Sequence, residues 1–362
     1  MLTAIPCTLM RGGTSKGLFF DAADLPADRD LRDRVLLAAM GSPDLRQIDG
    51  LGGAHPLTSK VAVISRPSRA DAPVDYLFLQ VSVDQAQVSD NQNCGNLLSA
   101  VGPWAIENGL VDVTGDVTAV RIHMVNTGSL AVARVDTREG AVQYEGDARI
   151  DGVPGTAAPV ALEFLDVAGS SCGSLLPTGN VVDQYEGIGI TCIDNGMPVI
   201  IVRAIDVGVT GAETPAQLEV NETLKARIEK LRLAIGERMN LGDVTRKTVP
   251  KVCLVSAPRA GVDIHTATFI PHRVHEAIGV LGAVSVATAC VIPGSIAQQV
   301  SKRAAAAGSR VDVEHPTGFF SVDVDVDVAA TGIKVRHASL LRTARKLMHG
   351  DVFIPSSVWK RA

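Results

Sequence analysis

Short apolar or alternating runs, the pattern of β-strands, recur along the whole chain. Most are rich in Val and Ile and are bounded by Gly, Pro, Asn or Asp, which favour turns. The predicted strands cover residues 3–10, 18–20, 61–64, 76–83, 117–125, 129–135, 142–144, 160–164, 188–193, 199–204, 320–328 and 352–355. Asn195–Gly196, between two of these runs, predicts a tight hairpin turn.

Helical spacing of apolar residues is confined to a few segments. Residues 28–40 end at Gly41, a residue that commonly closes a helix. The most regular pattern begins at Thr214–Pro215 and ends near Gly242. Further helices are predicted at residues 93–109, 271–289 and, as a short basic segment, 341–347. Many strands with few helices predict an α+β fold.

The two halves of the chain resemble each other. Residues 250–258 align with residues 59–67, and in both halves a further strand and then a helix follow. A duplicated chain has two similar lobes, with a ligand in the cleft between them. We place the N-terminal lobe at residues 1–182, with residues 336–362 returning to it, and the C-terminal lobe at residues 183–335.

Composition and charge exclude several classes of function. The net charge is -5 and no basic stripe is present, which argues against a nucleic-acid partner. No apolar run reaches the ~18 residues of a membrane span, and no signal-peptide pattern opens the chain, so we expect a cytoplasmic protein. The six cysteines are scattered without a C-x-x-C motif, which argues against structural zinc and a disulfide framework.

Residues 90–100 carry the clearest candidate chemistry. They lie between an alternating strand and an apolar-periodic segment, so Cys94 is placed at a helix N-terminus. Free N–H groups at that end can hold a carboxylate or oxyanion, and the helix field lowers the pKa of a thiol. Gly95 allows close approach of a ligand, and Asn93 and Asn96 can cap the helix or contact the ligand. The alternative is a capped helix that begins with a buried cysteine.

Two glycine-rich loops supply further candidates. Lys60 lies where the loop at residues 49–60 enters an apolar strand, and a desolvated lysine becomes a usable base. It is alternatively an exposed lysine at a strand end. Residues 11–17 combine three glycines with Arg, Thr, Ser and Lys, which suits an anion cradled by backbone N–H groups. Their spacing is not that of a nucleotide P-loop, and a plain glycine-rich hairpin is the alternative.

His272 and Arg273 are the corresponding candidates in the second half. They are predicted near the N-terminus of the 271–289 helix, where Asn93 and Cys94 stand in the first half. Arg273 could hold a carboxylate through two hydrogen bonds, and His272 could donate to one. Surface capping of the helix is the alternative for both.

Five separated motifs, in order along essentially the whole chain, resemble the family of methylaconitate isomerases and 4-oxalomesaconate tautomerases. The family belongs to the diaminopimelate epimerase-like superfamily. The motifs are Arg11-Gly12-Gly13-Thr14-Ser15-Lys16-Gly17, Pro56-Leu57-Thr58-Ser59-Lys60-Val61-Ala62, Asn93-Cys94-Gly95-Asn96, Leu176-Pro177-Thr178-Gly179 and Arg342-Thr343-Ala344-Arg345.

The resemblance implies two lobes, each a β-barrel-like sheet around a central helix, with the site between the two helix N-termini. It implies no metal, flavin, nucleotide or other cofactor. Lys60 and Cys94 match the family's acid/base pair. Related epimerases use two facing cysteines, whereas this chain has His272 in the second half, so proton transfer by Lys60 and Cys94 is favoured. The expected substrate-binding residues are Arg11, Thr14, Ser15, Ser59, Asn93, Gly95, Asn96, Asn195, His272 and Arg273.

The function implied is a cofactor-independent isomerase that moves a proton along an allylic system of a small unsaturated tricarboxylate. Overall likeness favours 4-oxalomesaconate, in bacterial breakdown of gallate, protocatechuate and other lignin-derived aromatics. We assign Lys60 as the base and Cys94 as the acid, although the sequence also allows the reverse. The alternatives are a 2-methylaconitate cis-trans isomerase of propionate metabolism and a non-catalytic carboxylate-binding protein. A homodimer is compatible with the sequence.

Overall fold

The computed structural model describes residues 1–90, 93–258, 261–301, 309–329 and 332–361. The chain divides into two compact units, Met1–Leu162 with Leu341–Ala362, and Glu163–Leu340.

The segment before residue 182 is hydrogen-bonded to Asp194, a residue of the second unit. The N–H groups of Ser171 and Cys172 donate to the Asp194 carboxylate at 2.8 and 2.9 Å. The backbone of Asp194 also accepts from Gly169 and donates to Leu175. The segment therefore belongs to the second unit.

The elements of the first unit are β1 (Leu2–Gly12), β2 (Ser15–Asp21), α1 (Arg29–Met40), β3 (Lys60–Ser65), β4 (Val74–Val81), β5 (Val88–Ser89), α2 (Gly95–Leu98), α3 (Val101–Glu107), β6 (Val117–Met124) and β7 (Ser129–Asp136). β8 (Pro159–Leu165) crosses the boundary. The pairings β1–β2, β3–β4 and β6–β7 are antiparallel, and β2–β3 and β4–β6 are parallel.

The elements that follow are β9 (Asp183–Tyr185), β10 (Ile188–Asp194), β11 (Pro198–Arg203), α4 (Pro215–Glu219), α5 (Glu222–Arg238), β12 (Lys251–Ser256), β13 (Ile264–Ile270), β14 (Arg273–Val274), α6 (Val280–Val291), α7 (Ile296–Val300), β15 (Ser309–His315), β16 (Gly318–Ala329) and β17 (Gly332–Pro355). The pairings β10–β11, β12–β13 and β15–β16 are antiparallel, and β11–β12 and β13–β15 are parallel. The order of the first unit is thus repeated, as the aligned segments predict, with β12 in the place of β3.

Helices cover both faces of the sheet formed by β1 to β4. Leu36 of α1 belongs to an apolar core on one face, with residues of β1, β2 and β3. On the other face, a Cβ atom on Gly12 would lie 2.6 Å from the carbonyl oxygen of Asn96 in α2. Trp104 of α3 donates from Nε1 to Thr8 Oγ1 at 3.2 Å. Because side chains alternate along a strand, neighbouring residues of β1 and β2 face different helices.

In the second unit, α5 buries the residues that its periodicity predicted. Leu224, Ile228, Leu231 and Ile235 lie in a core with β10, β11 and β12. Every residue of α6 is buried, as expected for a helix that is apolar on all sides. Within the described ranges, no helix combines the length and apolar character needed to cross a membrane.

The last strand, β17, pairs with the first one. The antiparallel register runs from Leu2 opposite Pro355 to Gly12 opposite Ala344. The helix predicted at residues 341–347 is therefore wrong, because its backbone groups are used in this pairing and not in helical turns.

Three other predicted elements also differ from the structure. The 93–109 helix is split into α2 and α3, because Pro103 has no N–H to donate to Ser99. The long helix starting at Pro215 is split into α4 and α5, because the side chain of Asn221 caps α5. Residues 142–144 form no strand. The mixed α+β class is confirmed.

Candidate active site

Lys60 lies at the start of β3 and is buried, with 7% of the residue exposed. Its Nζ donates to Ser15 Oγ at 3.0 Å and to Cys94 Sγ at 3.4 Å. The amine also lies 5.7 Å from the centre of the Phe78 ring. An amine, a hydroxyl and a thiol from distant parts of the sequence thus form one hydrogen-bonded cluster.

Strand register brings Ser15 next to Lys60. β2 and β3 are parallel, with Gly17 opposite Lys60. A Cβ atom at Gly17 would lie 2.4 Å from the Lys60 carbonyl oxygen, so this close approach requires glycine. Ser15, two residues before Gly17, projects to the same face of the sheet as the lysine amine.

Cys94 is the N-cap residue of α2, as predicted. Its Sγ accepts from the N–H of Leu97 at 3.5 Å and lies 3.8 Å from Ser15 Oγ. Only 8% of the residue is exposed. Its carbonyl oxygen accepts from the hydroxyl of Tyr76 at 3.3 Å. Burial, and secondarily the neighbouring Cys94, raise the pKa of Tyr76 well above its ordinary value, so its hydroxyl remains a donor.

The glycine-rich loop of residues 11–17 packs on the first turn of α2, where Gly95 is the first helical residue. A Cβ atom at Gly13 would lie 2.2 Å from Asn96 Oδ1, so this loop and this helix fit only without a side chain there. Thr14 is at the tip of the hairpin, and its Cγ2 would lie 2.9 Å from a Cβ atom at Gly152. The two motifs that contain Ser15 and Cys94 therefore form one surface.

Asn93 and Asn96, close to Cys94 in the sequence, each have a buried side-chain oxygen that accepts no hydrogen bond from the described residues. Asn93 donates from Nδ2 to Thr127 Oγ1 at 2.7 Å. Its Oδ1 and that of Asn96 have no hydrogen-bond partner among the described residues. Ser59 differs, because its Oγ accepts from Gln47 at 2.7 Å and donates to the Val81 carbonyl at 2.9 Å. Its hydroxyl supports the strand that carries Lys60.

Arg11 does not lie with Lys60 and Cys94. Its neighbour Gly12 faces α2, so Arg11 projects to the opposite face of the sheet. Its Nη1 donates to the carbonyl oxygens of Gly13 and Thr343 at 2.9 and 3.0 Å and to Thr343 Oγ1 at 3.0 Å.

The other predicted binding residues lie in the second unit. Asn195 is completely buried and donates from Nδ2 to Thr288 Oγ1 of α6 at 2.8 Å. The side chain of His272 is 63% exposed, with Nδ1 lying 3.9 Å from Glu229. The helix position predicted for His272 and Arg273 is wrong.

Arg273 belongs to β14, where it pairs with Ile270, and α6 begins only at Val280. Its side chain is 80% exposed and lies 2.9 Å from Glu219.

Three residues at the Lys60–Cys94 cluster or at its counterpart in the second half were not predicted from the sequence. Tyr76 and Phe78 contact Cys94 and Lys60 from β4, and only their alternation in that strand indicated their inward direction. The third is Lys251, the counterpart of Lys60 in the aligned segments and also the first residue of its strand. It is 7% exposed, and its Nζ has no hydrogen-bond partner in the described part of the chain.

The match of this sequence to the PrpF protein family covers residues 2–355. The chain belongs to the PrpF family. It is 60% identical over 353 residues to the (4E)-oxalomesaconate Delta-isomerase of Novosphingobium sp. (strain KA1), covering 98% of each chain. It is 57% identical over 357 residues to the 4-oxalomesaconate tautomerase of Pseudomonas putida, covering 99% of this chain and 98% of that one. This PrpF-family protein is therefore an isomerase.

Solved structures agree with this family assignment. The crystal structure of methylitaconate-delta-isomerase matches with a TM-score of 0.85 and 38% identity, covering 100% of this chain and 98% of that one. A hydroxyproline epimerase from Agrobacterium vitis matches with a TM-score of 0.56 and 14% identity, covering 98% and 97%. The second likeness is one of fold alone. The diaminopimelate epimerase-like fold predicted for this PrpF-family isomerase is confirmed.

Proposed function

We propose that this PrpF-family isomerase moves a proton along the allylic system of 4-oxalomesaconate, with Lys60 as base and Cys94 as acid. The observation that carries the proposal is the 3.4 Å separation of the Lys60 amine and the Cys94 thiol in a buried cluster. The names of the two relatives described above support the substrate. A place in bacterial breakdown of gallate and protocatechuate is part of the same proposal.

The proposed reaction begins when the Lys60 amine removes a proton from carbon. The electron pair of that C–H bond enters the conjugated system and gives a dienolate. The Cys94 thiol then gives its proton to the far carbon, which moves the double bond and leaves an ammonium and a thiolate. Proton transfer from Lys60 to Cys94 along their hydrogen bond restores both groups.

Ser15 and the first turn of α2 would bind the substrate carboxylates. Ser15 Oγ lies within hydrogen-bonding distance of Lys60 and 3.8 Å from Cys94 Sγ, so a carboxylate held there is next to both reacting groups. The Gly95 and Asn96 backbone, with the amides of Asn93 and Asn96, offers polar groups for the charge that develops on oxygen. The amide orientations are interchangeable, so the unpaired oxygens of Asn93 and Asn96 mark positions where N–H donors fit equally well.

The test is to measure kcat and KM for 4-oxalomesaconate with Lys60→Met and Cys94→Ser. Each variant should lose about 10²–10⁴-fold in kcat, the usual contribution of a proton-transfer group, with a smaller change in KM. Lys230→Met and Cys7→Ala are matched controls. Lys230 has a 65% exposed side chain, and burial raises the pKa of Cys7 to about 11, which keeps it an inert thiol. An unchanged kcat for Lys60→Met would refute the role of the amine.

Two further measurements separate the alternatives. A side-by-side assay with 2-methylaconitate distinguishes the two isomerases, and higher kcat/KM for that acid would overturn the substrate assignment. In deuterated water the product should gain deuterium at the far carbon. A binding protein without catalysis would give no exchange at all.

A further inference from the structure

Three cations, Lys16, Arg11 and Arg345, lie side by side on the face of the first unit's sheet that is turned away from α2. In the strand register, Lys16 of β2 is opposite Arg11 of β1, and Arg11 is opposite Arg345 of β17. Residues directly opposite each other in antiparallel strands project from the same face, with Cβ atoms about 4.5–5.5 Å apart. A row of three positive charges therefore crosses three adjacent strands.

These three cations line a groove of about 1020 Å³ within the first unit. The groove is also lined by most residues between 144 and 157, among them Glu145 and Asp147. Neither carboxylate forms an ion pair with the three cations in the described parts of the chain. A fourth cation in the groove, Lys346, differs because it is paired with Glu107 at 2.8 Å.

Among the residues that the structure describes, Arg11 donates only to neutral acceptors, the Gly13 and Thr343 oxygens. Within the described ranges, Lys16 and Arg345 have no carboxylate partner. Desolvation, and secondarily the charge of Arg345, lower the pKa of Arg11. Like charges directly opposite each other destabilise a sheet, so this row has an electrostatic cost that a bound anion would offset.

The row is separate from the proposed reacting groups. Ser15 and Gly12, which are opposite each other, face α2 together with Lys60, whereas Arg11 and Lys16 project to the other face. Ser15 also lines one edge of the groove, but Lys60 and Cys94 do not line it. An anion on the three cations would therefore not contact the Lys60 amine or the Cys94 thiol.

We propose that the groove binds a small organic polycarboxylate at Arg11, Lys16 and Arg345, as a second site apart from the isomerase site. Arg presents a planar fork of donors that matches a carboxylate, and Lys adds a mobile point charge. Two arginines and a lysine along one line fit two or three carboxylates on a short carbon chain better than they fit one compact anion. The site would let this chain respond to the concentration of free polycarboxylates.

The test is calorimetric titration with tricarballylate, a saturated tricarboxylate that has no double bond to move. We expect two binding sites per chain in the native protein and one in the double variant Lys16→Gln/Arg345→Gln, with the affinity of the lost site falling at least about tenfold. The Arg66→Gln variant, which removes an exposed cation that does not line the groove, should keep both sites.

The titration distinguishes failure of the proposed function from failure of the proposed groove site. If tricarballylate does not enter the isomerase site, the native protein shows one site and the double variant none, and the groove is still supported. Equal numbers of sites and equal affinities in the native protein and the double variant overturn the groove. Loss of binding in Arg66→Gln, or binding of inorganic phosphate at the groove without tricarballylate, overturns the polycarboxylate assignment.

Thermal unfolding checks that the double variant Lys16→Gln/Arg345→Gln is folded. Without ligand, Arg345→Gln should melt at or above the native temperature because it removes a like-charge contact with Arg11. Added tricarballylate should raise the melting temperature of the native protein by more than that of the variant. An equal rise in both proteins would count against the site.

Discussion

Replacing Lys251 with methionine should stabilise the protein by about 3 kcal/mol at pH 7, because the native amine is buried without a partner. Burial, and secondarily the charge of Arg232, lower the pKa of Lys251 from 10.5 to about 8. The difference is about 2.5 pKa units, and each corresponds to about 1.36 kcal/mol of unfavourable charging in the folded state. Methionine has a similar length and flexibility, so it should fill the same space without the charge.

The gain should depend on pH in a defined direction. The folded pKa is below the unfolded one, so the native protein bears the full charging cost below pH 8 and loses it as the pH rises toward 10.5. The stabilisation from Lys251→Met should fall from roughly 3 kcal/mol at pH 7 to roughly 2 at pH 9 and below about 1 at pH 10. The native protein itself should therefore gain stability over this range from this group.

Urea unfolding of both proteins at pH 7, 9 and 10 measures this difference directly, provided that the m-values agree. Lys230→Met, which removes an exposed lysine of α5, is the control and should not reproduce the change between pH 7 and 9. A Lys251→Met protein that is no more stable at pH 7, or whose gain is the same at pH 7 and 10, would refute the assignment of a buried, uncompensated amine.

Two other predictions concern the close contact at Gly12 and the buried guanidinium of Arg232. Gly12→Ala should cost about 1–3 kcal/mol in urea unfolding and lower kcat, because its Cβ would meet the Asn96 carbonyl oxygen at 2.6 Å and displace α2. Gly282→Ala is the contrasting change, because a Cβ atom added there would lie at an ordinary contact distance of 3.5 Å from Ile278. This substitution should stabilise α6 by about 0.5–1 kcal/mol. Equal losses of stability in the two variants would contradict the argument. Arg232→Met should cost about 3–5 kcal/mol, because the guanidinium is 0% exposed and donates to Glu229 and to three carbonyl oxygens. A chemical-denaturation loss below about 1 kcal/mol would show that those acceptors find other donors.

The strands and helix α1 could be predicted from the sequence because the residue patterns that indicate them lie within each element. Alternation located β6 and β7 to within a residue or two, and Gly41 caps the end of α1 as predicted. The repeat also predicted that Lys60 and Lys251 occupy equivalent strand positions.

The predictions that were wrong concern structure that depends on residues far apart in the chain. Nothing near residues 341–347 indicates a strand, because the partner that makes it one is β1. The start of α6 was misplaced because Arg273 pairs with Ile270 in a hairpin. The face on which Arg11 lies likewise depends on the pairing register of three strands, so its separation from Cys94 could not be inferred from a shared motif.

The pairing of β1 with the far end of β17 has a consequence for how the protein is made. Leu2–Gly12 leaves the ribosome more than three hundred residues before most of the backbone partners of that strand are synthesised. Residues 163–340 are complete before then, so the second unit can acquire its fold while the first still has an open edge. Nascent chains halted before residue 341 should therefore expose that edge and need protection from aggregation until the final segment arrives.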